Sequence, residues 1–207
     1  NIDIARLLVD EPFFAAISRR VEKVQSLSIP TAGVGLDKET MQYIFIYNPN
    51  FMESLSDREK IGVIIHEFYH LIFRHVSNRR PALVILEPEN YHKQWNIATD
   101  LSINSLIGKD NLPEMCCIPG GKSFEDFPSH ESAEFYFRRI LQIQEENESK
   151  GGGGEGQEGG GIDDSGQFDS HSQWAEGSGD GIEAETANER IKEYMKEAQE
   201  KAVSKGW

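Results

Sequence analysis

Apolar positions recur along this chain with two periods, and the changes between them mark out the elements. Over residues 2–27, Ile4, Leu7, Leu8, Phe13, Phe14, Ile17, Val21 and Val24 fall mostly at helical spacing. Pro12 sets a break or a new first turn inside that stretch. Thr31 to Leu36 is short and glycine-containing. Met41 to Tyr47 is rich in β-branched and aromatic side chains and predicts a strand, ended by a turn at Asn48-Pro49-Asn50. The clearest helical period follows, at Ile61, Ile64, Ile65, Phe68, Leu71 and Ile72. Ser56-Asp57-Arg58-Glu59 reads as a capping box at its start. Arg74, Arg79 and Arg80 suit its C-terminal end, and Pro81 stops it.

Beyond it a proline-flanked segment, Pro81 to Pro88, leads into a helix from about Tyr91 to Leu106. Gly108 to Pro128, with its prolines, glycines and a cysteine pair, reads as a loop. Ser129 is placed to cap a helix running to about Gln144. Composition then changes sharply. Residues 151–161 are glycine except for two glutamates and a glutamine, which predicts a flexible linker. After it come a polar stretch holding Phe168, His171 and Trp174, and a charged helix from about Glu183 to Val203. The expected division is a main domain over 1–148, a linker over 149–166, and a docking segment with the C-terminal helix over 167–207. No internal repeat is visible.

The strongest helix carries His66-Glu67-Phe68-Tyr69-His70. Residues four apart lie on one helix face, so the two imidazoles can grip one metal ion. The glutamate beside the first can hold and deprotonate a metal-bound water. This is the arrangement of a zinc-dependent hydrolase, most often a peptidase. The plainer reading is a buried helix that happens to carry these residues, but Glu67 next to Phe68 is costly in an apolar stretch without a partner.

A catalytic zinc site normally has three protein ligands and one open position. His75 lies nine residues after His66, two and a half helical turns on, so an unbroken helix points it away as a surface or structural residue. His92 and His130 stand near expected helix starts with no partner pattern and read as surface histidines. Asp100 lies among Trp95, Ile97, Leu101 and Ile103, where a buried carboxylate needs a reason. Metal ligation is one; bonding to Asn96 or Asn104 is the other, and Asn104, four residues on, could also orient Asp100. His171 is the further contender, as a fourth ligand, a hydrogen-bond donor to the transition-state oxyanion, or a packing contact beside Trp174.

Charge narrows the class. The chain has 207 residues, the length of one ordinary domain with an appendage, and its formal charge is −14, much of it after Glu145. So acidic a chain repels nucleic-acid backbones. The two cysteines, Cys116 and Cys117, are adjacent, which gives no disulfide framework and fits a reducing, cytoplasmic setting. Neither a signal peptide nor a membrane-spanning stretch is expected.

Several ordered motifs together resemble a known family. They are Tyr47-Asn48-Pro49-x-Phe51, His66-Glu67-x-x-His70, Arg74-His75, Trp95-Asn96-Ile97-Ala98-x-Asp100-Leu101-x-Ile103-Asn104, Ser132-Ala133-Glu134-x-Tyr136 and Asp169-x-His171-x-x-Trp174. They resemble the metallopeptidase domain found N-terminal to von Willebrand factor A-like domains in bacteria and phages, over nearly the whole chain. The resemblance implies an α+β, zincin-like fold, mostly helical with a small sheet beside the active helix. It implies zinc held by His66, His70 and Asp100, Glu67 as general base, and a catalytic part for His171. It also implies a protein or peptide substrate and a von Willebrand factor A-like or ATPase partner. Asp163-Asp164-Ser165-Gly166-Gln167 lacks the second serine of an Asp-x-Ser-x-Ser motif, so the chain reads as the metallopeptidase part alone, naturally short or cut from a longer protein.

The expected function is zinc-dependent peptide-bond hydrolysis by a Glu67-activated, metal-bound water. The strand Met41 to Tyr47 is expected at a sheet edge, where an extended peptide could add. The alternatives are a catalytically silent zinc module, a regulatory protein inhibited by its own tail around His171 and Trp174, and a deamidase or other non-peptide hydrolase with the same metal chemistry.

Overall fold

In the computed structural model, residues 4–37, 39–77, 79–150 and 182–207 are described. The helices are α1 (Ile4–Leu7), α2 (Pro12–Ser18), α3 (Pro49–Ser54), α4 (Asp57–Ile72), α5 (Ala82–Leu86), α6 (Pro88–Ile107), α7 (Ala133–Lys150) and α8 (Ile182–Ser204). The strands are β1 (Glu22–Gln25), β2 (Ala32–Leu36) and β3 (Tyr43–Tyr47). The class is therefore α+β, mostly helical with one small sheet. No helix among the described residues is long and apolar enough to cross a membrane. The expected linker and the segment from Phe168 to Trp174 lie outside the described residues.

The chain divides into two units. The first takes in the described residues of 4–79, 110–113 and 182–207. Its sheet has the order β1-β3-β2, with β1 parallel and β2 antiparallel to β3. Two expectations are corrected here. The helical period over 2–27 breaks after Ser18, and Val24 belongs to a strand instead. Pro12 does open a helix, as its fixed φ suits the first turn. And β3 is central, flanked on both sides, so it has no free edge for a peptide. Tyr43, Phe45 and Tyr47 alternate inward along it and are buried.

Asn48 accepts from the Asn50 amide and caps α3, so the expected turn continues as a short helix with Pro49 in its first turn. The Ser56–Glu59 capping box starts α4 as expected. α4 lies against β2, and Phe68 meets Phe45 of β3 edge-on at 6.1 Å between ring centroids. α8 packs on α2. Its buried residues, Ala187, Ile191, Tyr194, Ala198 and Ala202, fall on one stripe at helical spacing. The Tyr43 hydroxyl donates to the Ala187 carbonyl at 2.9 Å, tying α8 to the sheet. Arg20 pairs with Glu197 at 2.6 Å.

The second unit takes in the described residues of 80–109 and 114–150. α6 and α7 pack on each other around Trp95, Leu101, Tyr136, Phe137 and Ile140. Trp95 and Phe137 meet edge-on at 5.7 Å. The expected loop after Gly108 begins with a short 3-10 turn at Lys109–Asn111, and further on it contributes Cys117, Phe124 and Phe127 to this core. Ser132, rather than Ser129, heads α7: its hydroxyl accepts from the Phe135 amide at 3.2 Å.

Candidate metal centre

α4 is an uninterrupted helix of 16 residues, and its uniform geometry sets the first part of the site. His66 and His70 lie one above the other on the same face. Their Nε2 atoms are 2.9 Å apart and their rings 4.6 Å apart. Two nitrogens each about 2.0–2.1 Å from a tetrahedral zinc would sit about 3.3 Å apart, so the pair needs little movement to share an ion. His66, Glu67 and His70 are all fully buried. One turn before His66, Gly62 admits a close approach: a Cβ there would meet the Asn111 carbonyl oxygen at 1.8 Å.

The end of α4 overturns the reading of His75. Arg74 takes a left-handed conformation, φ 62°. The Arg74 amide bonds back to the Leu71 carbonyl at 3.0 Å and the His75 amide to the His70 carbonyl at 2.9 Å. This is a Schellman closure with arginine where glycine is usual. The left-handed residue ends the helical progression, so counting turns from His66 no longer applies. His75 folds back instead: its Nδ1 is 3.1 Å from Nδ1 of His70, and the residue is fully buried. It is not a surface residue.

In the second unit, α6 buries Trp95, Ile97, Ala98, Leu101 and Ile103, and among them Asp100 and Asn104 are also fully buried. The Asn104 amide nitrogen donates to the Cys117 carbonyl at 2.7 Å, so it braces the loop after α6. Burial first, then the Asp100 carboxylate, pushes the Cys117 thiol well above its ordinary pKa, so it stays protonated. Neither Cys116 nor Cys117 forms a disulfide among the described residues. His92 is half-buried, with Nδ1 3.1 Å from the Asn96 amide nitrogen, while His130 is exposed as expected.

One ligand atom from each of His66, His70 and Asp100 lies within 4.8 Å of the other two. Two imidazole nitrogens and one carboxylate oxygen make a donor set suited to a divalent first-row metal. Among the described residues this group has three members, the number that leaves a catalytic ion one open position. Glu67 follows His66 directly on α4. His171 lies outside the described residues. Sequence reasoning missed the contact of His75 with His70; no glycine or asparagine marks the left-handed turn that makes it.

Comparison with curated proteins and with solved structures finds no match. A family model does match, over residues 2–205, under the description "Putative metallopeptidase domain". With matched residues reaching almost from end to end, the chain belongs to that metallopeptidase-domain family.

Proposed function

We propose that the chain is a zinc-dependent metallopeptidase of zincin-like architecture. The observation that carries this is the convergence of His66, His70 and Asp100, with the Glu67 carboxylate on the same helix as the histidine pair. In this reading those three residues hold the ion. Zinc is favoured because two imidazoles and a carboxylate suit it, and because three ligands leave a position open. A divalent ion bound there would lower the pKa of a water towards neutrality and polarise a carbonyl.

The chain's own residues then do the following. Glu67, buried beside the histidine pair, takes a proton from the attacking water and delivers it to the leaving amine. Ile64, Phe68 and Leu71 of α4 are buried as well, so the carboxylate stands in surroundings of low dielectric. His171 is assigned as a donor to the oxyanion. The substrate is a protein or peptide, and the setting a cytoplasmic one with a von Willebrand factor A-like or ATPase partner. Residues 1–148 form the catalytic domain, 149–166 a linker, and 167–207 a segment that docks on it.

The test is hydrolysis of a quenched-fluorescent peptide mixture by the zinc-supplied protein beside Glu67→Gln. Wild-type cleavage that falls by roughly 10²–10⁴-fold in the variant, with metal content unchanged, is the expected result. Equal cleavage by both, or none by the zinc-loaded wild type on any peptide, contradicts the reading.

A further inference from the structure

We propose that His75 is a positioning residue for His70: its Nδ1 accepts the Nδ1–H of His70, which fixes His70 in the tautomer whose Nε2 lone pair can bind a metal ion. The inference rests on the reading of His70 as a ligand and adds a residue to that site.

A neutral imidazole has one N–H donor and one acceptor nitrogen. Both ring nitrogens of His70 face another imidazole nitrogen: Nε2 faces His66 Nε2 at 2.9 Å, and Nδ1 faces His75 Nδ1 at 3.1 Å. An ion shared by His66 and His70 takes a lone pair from each Nε2, so neither Nε2 then carries a proton, and neutral His70 holds its one proton on Nδ1. That N–H faces Nδ1 of His75, which accepts it when the His75 proton is on its other ring nitrogen. Ligating histidines commonly donate their second N–H to a neighbour that fixes tautomer and ring orientation. Here a third imidazole stands in that place.

The backbone supports this role. His75 reaches His70 only because Arg74 adopts a left-handed conformation that non-glycine residues rarely take. The same turn bonds the His75 amide to the His70 carbonyl, so ring and main chain of His75 are both referred to His70. The rings meet edge-on with centroids 5.2 Å apart, and both are fully buried.

The experiment compares wild type, His75→Phe and His75→Asn. Phenylalanine keeps a ring of similar size but has no acceptor; asparagine can present its side-chain oxygen where Nδ1 stood. Two measurements are made on each. The first is the ¹⁵N spectrum of the His70 ring in metal-free protein, which reads the tautomer directly. The second is zinc affinity by competition with a chromophoric chelator. Wild type is expected to show protonated Nδ1 at His70. His75→Phe should lose that pattern and bind zinc roughly 10–100-fold more weakly, and His75→Asn should recover most of both. Protonated Nε2 at His70 in wild type, or unchanged tautomer and affinity in His75→Phe, overturns the proposal. Should His75→Phe fail to fold, the wild-type spectrum and His75→Asn still decide it. A wild type that binds no zinc sinks the proposed function, while the metal-free spectrum still judges His75.

Discussion

Single residues carry the site, and they differ in how far the sequence exposes them. His66 and His70 are legible because a helix has one geometry: four residues apart means the same face, and the observed 2.9 Å between their Nε2 atoms follows from that. Asp100 is legible as a buried carboxylate in want of a reason and, beyond that, through the resemblance carried by Trp95 to Asn104; no local period ties it to the histidines. His75 is misjudged because the count of helical turns runs past the point where Arg74 ends them. Arg74→Gly should keep the turn and remove the cost of a side chain in a left-handed residue. Stability is expected to be unchanged or to rise by up to about 1 kcal/mol, read from urea unfolding. A loss of more than that would mean the arginine side chain, not the backbone turn, matters. Gly62→Ala is the opposite case, since its Cβ would lie 1.8 Å from a backbone oxygen that cannot rotate away. It should destabilise by about 1–3 kcal/mol or more, and an unchanged urea midpoint would show that the approach of Asn111 to α4 is not as close as described.

At the scale of elements, signals held within a few residues are read correctly. The capping box of α4 is a four-residue pattern, and the structure forms both of its hydrogen bonds, Glu59 amide to Ser56 hydroxyl and Ser56 amide to Glu59 carboxylate. Ser56→Ala should cost about 1 kcal/mol in thermal unfolding. The hydrogen bonds from Ser56 hold Glu59 below its ordinary carboxylate pKa. The sign follows: with the folded value depressed, the contribution is complete at neutral pH and is lost as pH falls through the folded value. The difference between wild type and Ser56→Ala should therefore shrink in acid; a difference that grows there contradicts the assignment. Elements defined by pairing are read less well. β1 is four residues long, mostly exposed, and owes its conformation to β3 about twenty residues on, so Val21 and Val24 could be mistaken for a continuing helix. The central place of β3 likewise depends on β1 and β2 flanking it, which composition alone does not fix.

At the scale of the molecule, the C-terminal helix was visible as a charged, periodic stretch, but its partners were not, because α2 and β3 lie far off in sequence. The stripe from Ala187 to Ala202 and the Tyr43–Ala187 hydrogen bond make α8 part of the first unit's packing. Burying a large side chain such as Ile191 contributes about 1.5–3 kcal/mol, against a typical total stability of about 5–15 kcal/mol. Removing residues 182–207 should therefore lower stability by several kcal/mol rather than release activity; a truncated protein with the wild-type unfolding temperature would contradict this. The family assignment, the buried histidine pair and the nearby Asp100 all bear on one claim, that this fold holds a catalytic metal. Elemental analysis of folded, zinc-supplied wild type beside His66→Ala and Asp100→Ala tests it most directly. The account predicts about one zinc per chain, lost in both variants. No metal in the wild type, or metal kept by both variants, would contradict it.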